Sequence, residues 1–504
     1  MRPWRDHLEP DDPLVVDARV GAAGLTAAGT LLHIWSGLWS SAPTSRLWHE
    51  GGRWWTAEEF DQATRRAAGR LRTAGLEPGQ RVVWSTGPSV DALVAHVGAL
   101  RAGLVVVPAN TAYSERELVH VVSDVRASAA IVERADQADW CSRSGPGSMV
   151  VTGPGLDLPD GDPGPLDVCG PDDPALICFT SGTTGTPKGA VLRHRHLLAA
   201  AESVTRAWRM SPGDRLVHCL PIFHAHGLVV GAYGTMTAGG SAVLLPGFDP
   251  GAVAAAAVDQ RATLFFGVPT MYHRLVSSGR AADLSHLRLC VSGSAPLPAD
   301  LHAAASTAIG SVVLERYGMT ETLMNTSNPY AGERRAGTVG FPLPGVEVAF
   351  DDAGQVLLRG PNVFDGYFER ATATADAFRD LGDGGGPWFA TGDLGSDESG
   401  YLVIRGRSKE LIISGGFNVY PAEVEDVLAG CPGVAEVAVT GTPSDEWGEV
   451  VTAWVVADGA APSLDDLRAH CSGLLAPYKQ PRLVRMVDAL PRNALGKVVR
   501  SQLG

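Results

Sequence analysis

Short apolar runs, RVVWST (81–86), GLVVVPAN (103–110), SAAIV (128–132), ALICFT (175–180), SAVLLP (241–246), ATLFFGVP (262–269) and LRLCVSGS (287–294), alternate with stretches of helical period such as AEEFDQATRRAAGRLRTAG (57–75). Strands that keep alternating with helices predict βαβ units and a mostly parallel sheet, so the fold class is α/β. At 504 residues the chain exceeds the roughly 250–300 at which one hydrophobic core stops growing, and more than one domain is expected. Between Asp351 and Arg405 the texture changes to short strands with Gly and Asp turns (GQVLLRG, YLVIRGR), which predicts a small β-rich subdomain. Beyond it the pattern predicts a smaller α+β unit. It contains a helix over Pro421–Leu428, strands EVAVTG and VTAWVVA, a helix in SLDDLRAHCSGLL and a basic tail. We therefore expect domains at 1–405 and 406–504.

Gly227–Phe248 carries no charge and is long enough to cross a bilayer. Gly239, Gly240 and Pro246 divide it into a helical first half and a strand, SAVLLP, as in a buried α/β unit, so no membrane span is expected. Ala252–Val258 (AVAAAAV) reads as a helix. The net charge of −14 and the lack of a Lys/Arg cluster argue against a nucleic-acid partner. Seven scattered cysteines with no CxxC spacing suit reduced thiols, and the N-terminus has no apolar signal region, so cytoplasm is the expected location. Monomer and dimer both remain compatible with the sequence.

TSGTTGTPKG, Thr180–Gly189, follows the strand ALICFT. Its glycines let successive N–H groups turn toward one centre, its hydroxyls add donors, and Lys188 adds a cation, all of which suits a polyphosphate. A polar surface turn has the same composition. It is not a Walker A loop, since Pro187 precedes Lys188 and no Ser or Thr follows it.

Together with ERYGMTET (315–322), TGD (391–393), GRSKELIISGGFNVYPAEVE (406–425) and PRNALGKVVR (491–500), this loop resembles the adenylate-forming superfamily of acyl-CoA synthetases, over almost the whole chain and in the family's order. The resemblance implies a large N-terminal domain of two α/β subdomains and a small β-barrel, with a smaller mobile C-terminal domain. It also implies the reaction: a carboxylate attacks the α-phosphorus of ATP, releasing pyrophosphate, and the CoA thiol then displaces AMP. Both partners in the first step are anions, so the site must supply cations and N–H donors rather than a protein nucleophile.

By the same resemblance Thr180, Ser181, Gly182, Thr183, Thr184, Gly185 and Lys188 hold the phosphates, and Glu321 with Thr184 holds Mg²⁺. Gly293, Ser294 and Ala295, with Glu315, Arg316, Tyr317, Gly318, Met319 and Thr320, line the nucleotide. Asp393 accepts the ribose hydroxyls beside Arg407. Lys497 is the cation between the carboxylate and the α-phosphate, Lys409 is the hinge, and Ser414, Gly415, Gly416 and Phe417 face CoA. Lys497, Thr184, Glu321 and His226 form the expected catalytic set.

FHAHGLVVG (223–231) and FFGVPTMYHRLV (265–276) would flank the acid pocket, where His226 and Arg274 offer positive charge and hydrogen bonds. The wording VPTMYHRL, VSGSAPLP and ERYGMTETLMNTSNPYAGERRAGTVGFPLPGVEV resembles the malonyl-CoA synthetases. That implies Arg274 on the distal carboxylate, with Ser292 and Met324 in the acid site and Met324 limiting its depth. SGGFNVYPAEVE follows the general fatty acyl-CoA synthetase wording, with Asn418 where malonyl-CoA synthetases often carry Lys; that segment serves CoA rather than the acid. The expected activity is an ATP-dependent malonyl-CoA or methylmalonyl-CoA synthetase. The rivals are a medium- or long-chain fatty acyl-CoA ligase and a stand-alone enzyme loading a carrier protein.

Overall fold

A computed structural model describes residues 1–7, 29–147, 149–180, 187–414, 417–444, 447–493 and 496–503. The chain forms two compact units, Met1–Val348 with Leu358–Phe389, and Ala349–Leu357 with Ala390–Gly504.

The first unit holds two α/β sheets. One of six strands runs in the order Val150–Thr152, Ala129–Val132, Arg81–Ser85, Val105–Pro108, Pro174–Thr180, Lys188–Arg193, with only the last strand antiparallel to its neighbour. The other, of nine strands, has a parallel centre: Leu314–Met319, Leu289–Ser292, Leu264–Gly267, Arg215–His218, Ser241–Leu244 and Arg46–Glu50. These strands are near-continuous runs of buried residues, as parallel strands covered on both faces must be. Each run singled out above as a strand is one, which fixes the α/β class.

The helix Ala57–Thr73 starts at a capping box. The Glu59 N–H donates to Thr56 Oγ1 at 3.2 Å and the Thr56 N–H to Glu59 Oε2 at 2.8 Å, satisfying two donors that the first turn would leave without partners. It packs against the helix Val90–Arg101. Gly98 permits this, because a Cβ there would come 2.5 Å from Ala67 Cβ. At the end of the second helix Arg101 is 1% exposed, and its guanidinium donates to Asp61 at 2.6 Å, Thr64 at 2.9 Å and Asp167 at 3.2 Å.

Gly227–Phe248 splits as its glycines predict, into a buried π-helix His226–Tyr233, a helical turn Gly234–Thr237 and the strand Ser241–Leu244. Among the described residues no helix is long and apolar enough to cross a membrane. A third sheet of five strands comprises Glu347–Phe350, Gln355–Arg359, Trp388–Glu398, Phe378–Arg379 and Tyr401–Arg407.

In the second unit Gly448–Ala457 is the central strand of a sheet flanked by Val434–Ser444 and Leu483–Met486. The helices Pro421–Leu428 and Leu464–Cys471 cover a core that includes Val424, Leu428, Val439, Val451 and Leu467. All seven cysteines are free, and burial pushes every thiol up: Cys141 to about 11, and Cys178, Cys219 and Cys290 to about 12.

Candidate active site

The antiparallel strands Pro174–Thr180 and Lys188–Arg193 bracket the Gly/Thr-rich loop, bringing Thr180 opposite Lys188. Ser181, Gly182, Thr183, Thr184 and Gly185 lie outside the described residues. Lys188 places its ammonium 5.5 Å from the centroid of the Tyr367 ring, and the Tyr367 hydroxyl donates to Glu321 Oε1 at 3.0 Å. Burial and the Glu321 carboxylate push the Tyr367 hydroxyl well above its ordinary pKa, so it stays a donor.

Tyr367 is held by backbone. It bridges Ala190, while the Phe368 N–H donates to Gly189 O at 2.7 Å and the Val191 N–H to Gly366 O at 3.1 Å. Glu321 lies in the turn between the strands Leu314–Met319 and Leu323–Ser327 and is 7% exposed. The turn is tight: a Cβ at Gly318 would lie 2.1 Å from Leu323 O. Buried Asn362 pins it, its side-chain amide donating to Thr322 O at 2.6 Å and Met324 O at 2.9 Å, while the Phe364 N–H donates to Glu321 O at 2.9 Å.

The other end of the site lies at the carboxyl ends of adjacent parallel strands, where open α/β sheets bind ligands. Gly293, Ser294 and Ala295 follow the strand Leu289–Ser292, which pairs with the strand carrying Glu315 and Arg316. Ser294 adopts φ +71°, and its Oγ lies 3.1 Å from His226 Nδ1 at the start of the π-helix. Glu315 Oε1 accepts the Leu297 N–H at 3.0 Å.

Burial and the Arg316 guanidinium drive His226 well below its ordinary pKa, and the same two causes bring His224 to about 4. His226 thus offers hydrogen bonds but, against expectation, no charge. Arg316 itself is brought down by burial to about 9. Ser292 is fully buried at its strand end, and Met324 is buried with its sulfur 3.2 Å from where a Gly318 Cβ would be.

Arg274, expected on the distal carboxylate, is exposed. On the helix Pro269–Ser277, Tyr272 and Leu275 face the core, and this register turns Arg274 to the exposed face, with its guanidinium 4.9 Å from the Phe248 ring centroid.

In the second unit Asp393 pairs with Arg407 across the strands, with Nε 3.1 Å from Oδ1. The Asp393 N–H donates to Thr391 Oγ1 at 3.0 Å, and that hydroxyl donates to Val356 O at 2.7 Å. Lys497 shares this electrostatic environment. Burial first, then Arg407, lowers its pKa, while Asp393 and Glu410 oppose the shift. A turn holds Lys497: its N–H donates to Asn493 Oδ1 at 3.0 Å and its carbonyl accepts the Asn493 N–H at 2.9 Å. Nearby Arg500 is tied to Glu410 at 2.9 Å and Glu425 at 2.6 Å. Lys409 is exposed in the short turn Ser408–Glu410, directly after the strand Tyr401–Arg407. Ser414 is fully buried, Phe417 is 56% exposed and stacked on Tyr478 at 4.6 Å, and Gly415 and Gly416 lie outside the described residues.

The family model for AMP-binding enzymes matches residues 40–368, and that for the AMP-binding enzyme C-terminal domain matches 423–497. The chain belongs to the AMP-binding enzymes, as an acyl-CoA ligase. It is 37% identical over 484 residues to a feruloyl-CoA synthase of an Amycolatopsis species, covering 92% of this chain and 96% of the relative. ATP-bound MatB from Rhodopseudomonas palustris superposes with a TM-score of 0.86 at 39% identity, covering 94% of the ligase and 98% of MatB. A malonyl-CoA ligase solved with methylmalonyl-CoA and AMP gives a TM-score of 0.63 at 41% identity, covering 90% of the ligase and 98% of that chain.

Two residues of the ligase's site carry no motif in the sequence. Tyr367 and Asn362 belong to PNVFDGYF (361–368), an irregular segment whose one signal is a Tyr after Gly. Arg316, expected at the nucleotide from its motif, has its buried guanidinium in the electrostatic environment of His224 and His226.

Proposed function

We propose that this ligase is an ATP-dependent malonyl-CoA synthetase that also takes methylmalonate. The observation that carries the reading is a buried, positively charged end of the acid site, Arg316 beside neutral His226, which favours a second anionic group over an alkyl tail. The likeness to a malonyl-CoA ligase supports it.

The acid carboxylate attacks the α-phosphorus of ATP, forming the acyl-adenylate with departure of pyrophosphate. The CoA thiol then adds to the acyl carbon, and AMP leaves with the C–O electron pair. Lys188 and the 181–185 loop hold the β- and γ-phosphates, and Tyr367 orients Glu321. Glu321, a buried hard-oxygen donor, would hold Mg²⁺ with Thr184; the ion neutralises phosphate charge when bound. Asp393 and Arg407 hold the ribose, and Lys497 neutralises charge as the carboxylate meets the α-phosphate. We assign the functional domains to 1–405 and 406–504, with Lys409 as hinge and Ser414–Phe417 toward CoA.

The test is pyrophosphate release with malonate, methylmalonate, hexanoate, palmitate and ferulate, each with and without CoA. Malonate should give the highest kcat/KM, with malonyl-CoA and AMP formed from free CoA. A preference for ferulate, the second reading that the feruloyl-CoA synthase relative favours, or for a fatty acid would refute it.

A further inference from the structure

The segment that carries Lys497 has little hydrophobic anchorage of its own. Among its described residues, 491–493 and 496–503, none is fully buried. Its shape is local: Arg492 bridges Val498, the Val499 N–H donates to Pro491 O at 2.8 Å, and the Arg492 guanidinium donates to Gly496 O at 2.6 Å, one residue before Lys497. These bonds fold the segment on itself without fixing its place on the second unit. With so little burial, packing holds it weakly, and ion pairs do the placing.

Two arginines tie the segment down. Arg492 meets Glu436 at 2.8 Å near the surface. Arg500 is different in kind. It donates to Glu425 through Nε, 3.2 Å from Oε1, and through one terminal nitrogen, 2.8 Å from Oε1 and 2.6 Å from Oε2, while its other terminal nitrogen reaches Glu410 Oε2 at 2.9 Å. Glu425 lies on the helix Pro421–Leu428, and its Oε1 also accepts the Val439 N–H at 2.7 Å, which braces the carboxylate from a neighbouring strand. Glu410 ends the turn Ser408–Glu410, next to Lys409. One guanidinium thus joins the segment of Lys497 to a helix and to a turn, using a planar fork that an ammonium cannot reproduce. The side chains of Arg500 and Glu425 are 20% and 17% exposed, so the pair escapes most of the screening that makes surface ion pairs worth little.

We propose that Arg500 is the positioning residue of Lys497: by pinning the segment to Glu425 and Glu410, it holds the lysine where adenylation needs it. This rests on the assignment of Lys497 to the first chemical step, above. The consequence is a division between the half-reactions. Carboxylate and α-phosphate meet only in the first step, so a misplaced Lys497 slows that step. Attack of the CoA thiol on a ready-made acyl-adenylate makes no use of it. An ion pair that merely held the second unit together would affect both steps, because Ser414 and Phe417, assigned to CoA, belong to the same unit.

Two rates would be measured on the full chain with the acid that wild type uses best: ATP–pyrophosphate exchange, and thioester formation from CoA and the synthetic acyl-adenylate. The variants are Arg500→Met, Arg500→Lys, Lys497→Ala and the double variant Arg500→Met with Lys497→Ala. Arg500→Met should lower exchange by about 10–100-fold, the scale of a group displaced by about 1 Å, and leave thioester formation within about twofold of wild type. Arg500→Lys should recover little of that loss. Since Arg500 acts through Lys497, the double variant should be no slower in exchange than Lys497→Ala alone. Equal losses in both steps, or losses that multiply in the double variant, would make Arg500 a structural ion and overturn the proposal while the role of Lys497 stands. Undiminished exchange in Lys497→Ala would overturn both. If Arg500→Met fails to fold, Arg500→Lys decides: a loss confined to exchange upholds the proposal, and wild-type exchange overturns it.

Discussion

Two arginines of the first unit are almost equally buried and differently served. Arg101 is met by two carboxylates and a threonine hydroxyl, all from residues it packs against. Arg316 is met by neutral imidazoles and the backbone of a glycine. The first charge completes a helix junction; among the described residues the second has no carboxylate partner. Burial alone therefore does not distinguish a structural ion from a functional one, and the inventory of partners does.

The largest expected effect tests the structural side. Arg101→Met leaves Asp61 with Arg65 alone and Asp167 with the Ser36 hydroxyl alone, and should cost about 3 kcal/mol of unfolding free energy, read as a lower denaturant midpoint, while the folded fraction keeps its kcat. If stability is unchanged, the distinction between the two arginines fails.

Lys497→Ala should slow adenylation by about 10²–10³ and leave the midpoint where it was. Because burial and Arg407 lower the Lys497 pKa, its ammonium is lost at lower pH than the roughly 10.4 of an ordinary lysine, and adenylation should fall on the alkaline side below that value. The linkage to stability has the opposite sign. The unfolded state binds more protons across that interval, so this group's contribution to stability rises with pH as activity declines. Lys497→Arg should remove the alkaline limb from the pH profile, and a limb that stays would assign it to another group.

Tyr367→Phe keeps a ring under Lys188 and deletes the hydrogen bond to Glu321. An ATP KM raised about 10–100-fold, with little change in the acid KM, is the expected split. The smallest effect belongs to Arg316→Met, whose midpoint should hold or rise, since it removes an uncompensated buried charge; a drop comparable to that of Arg101→Met would erase the contrast drawn above.

The α/β class and most strands were legible because hydrophobic period and turn residues act locally. RVVWST, ALICFT and LRLCVSGS needed no tertiary information to be strands. HGLVVGAY is less legible, because all eight residues of the π-helix are buried and no polar face marks its period. The register of PTMYHRLV was readable: Tyr272 and Leu275 define the buried face, and Arg274 falls off it. Tyr367 could not be found, because it reaches Lys188 through backbone pairing with Ala190, over 170 residues away in sequence, and that pairing depends on fold rather than composition. Nor does ERYGMTET show how its three buried charged residues are partnered, since Glu315 receives the Leu297 N–H from a loop outside the motif.

The raised thiol pKa values bear on how such an enzyme lives with its acceptor. CoA attacks as a sulfur nucleophile, and an enzyme cysteine of comparable acidity would compete for oxidants and activated acyl groups. Burial raises the pKa of Cys178, Cys219 and Cys290, which keeps these thiols protonated and out of reach of exchange with the acceptor pool. Aromatic disulfide dyes that follow CoA consumption should therefore leave Cys219 and Cys290 unmodified.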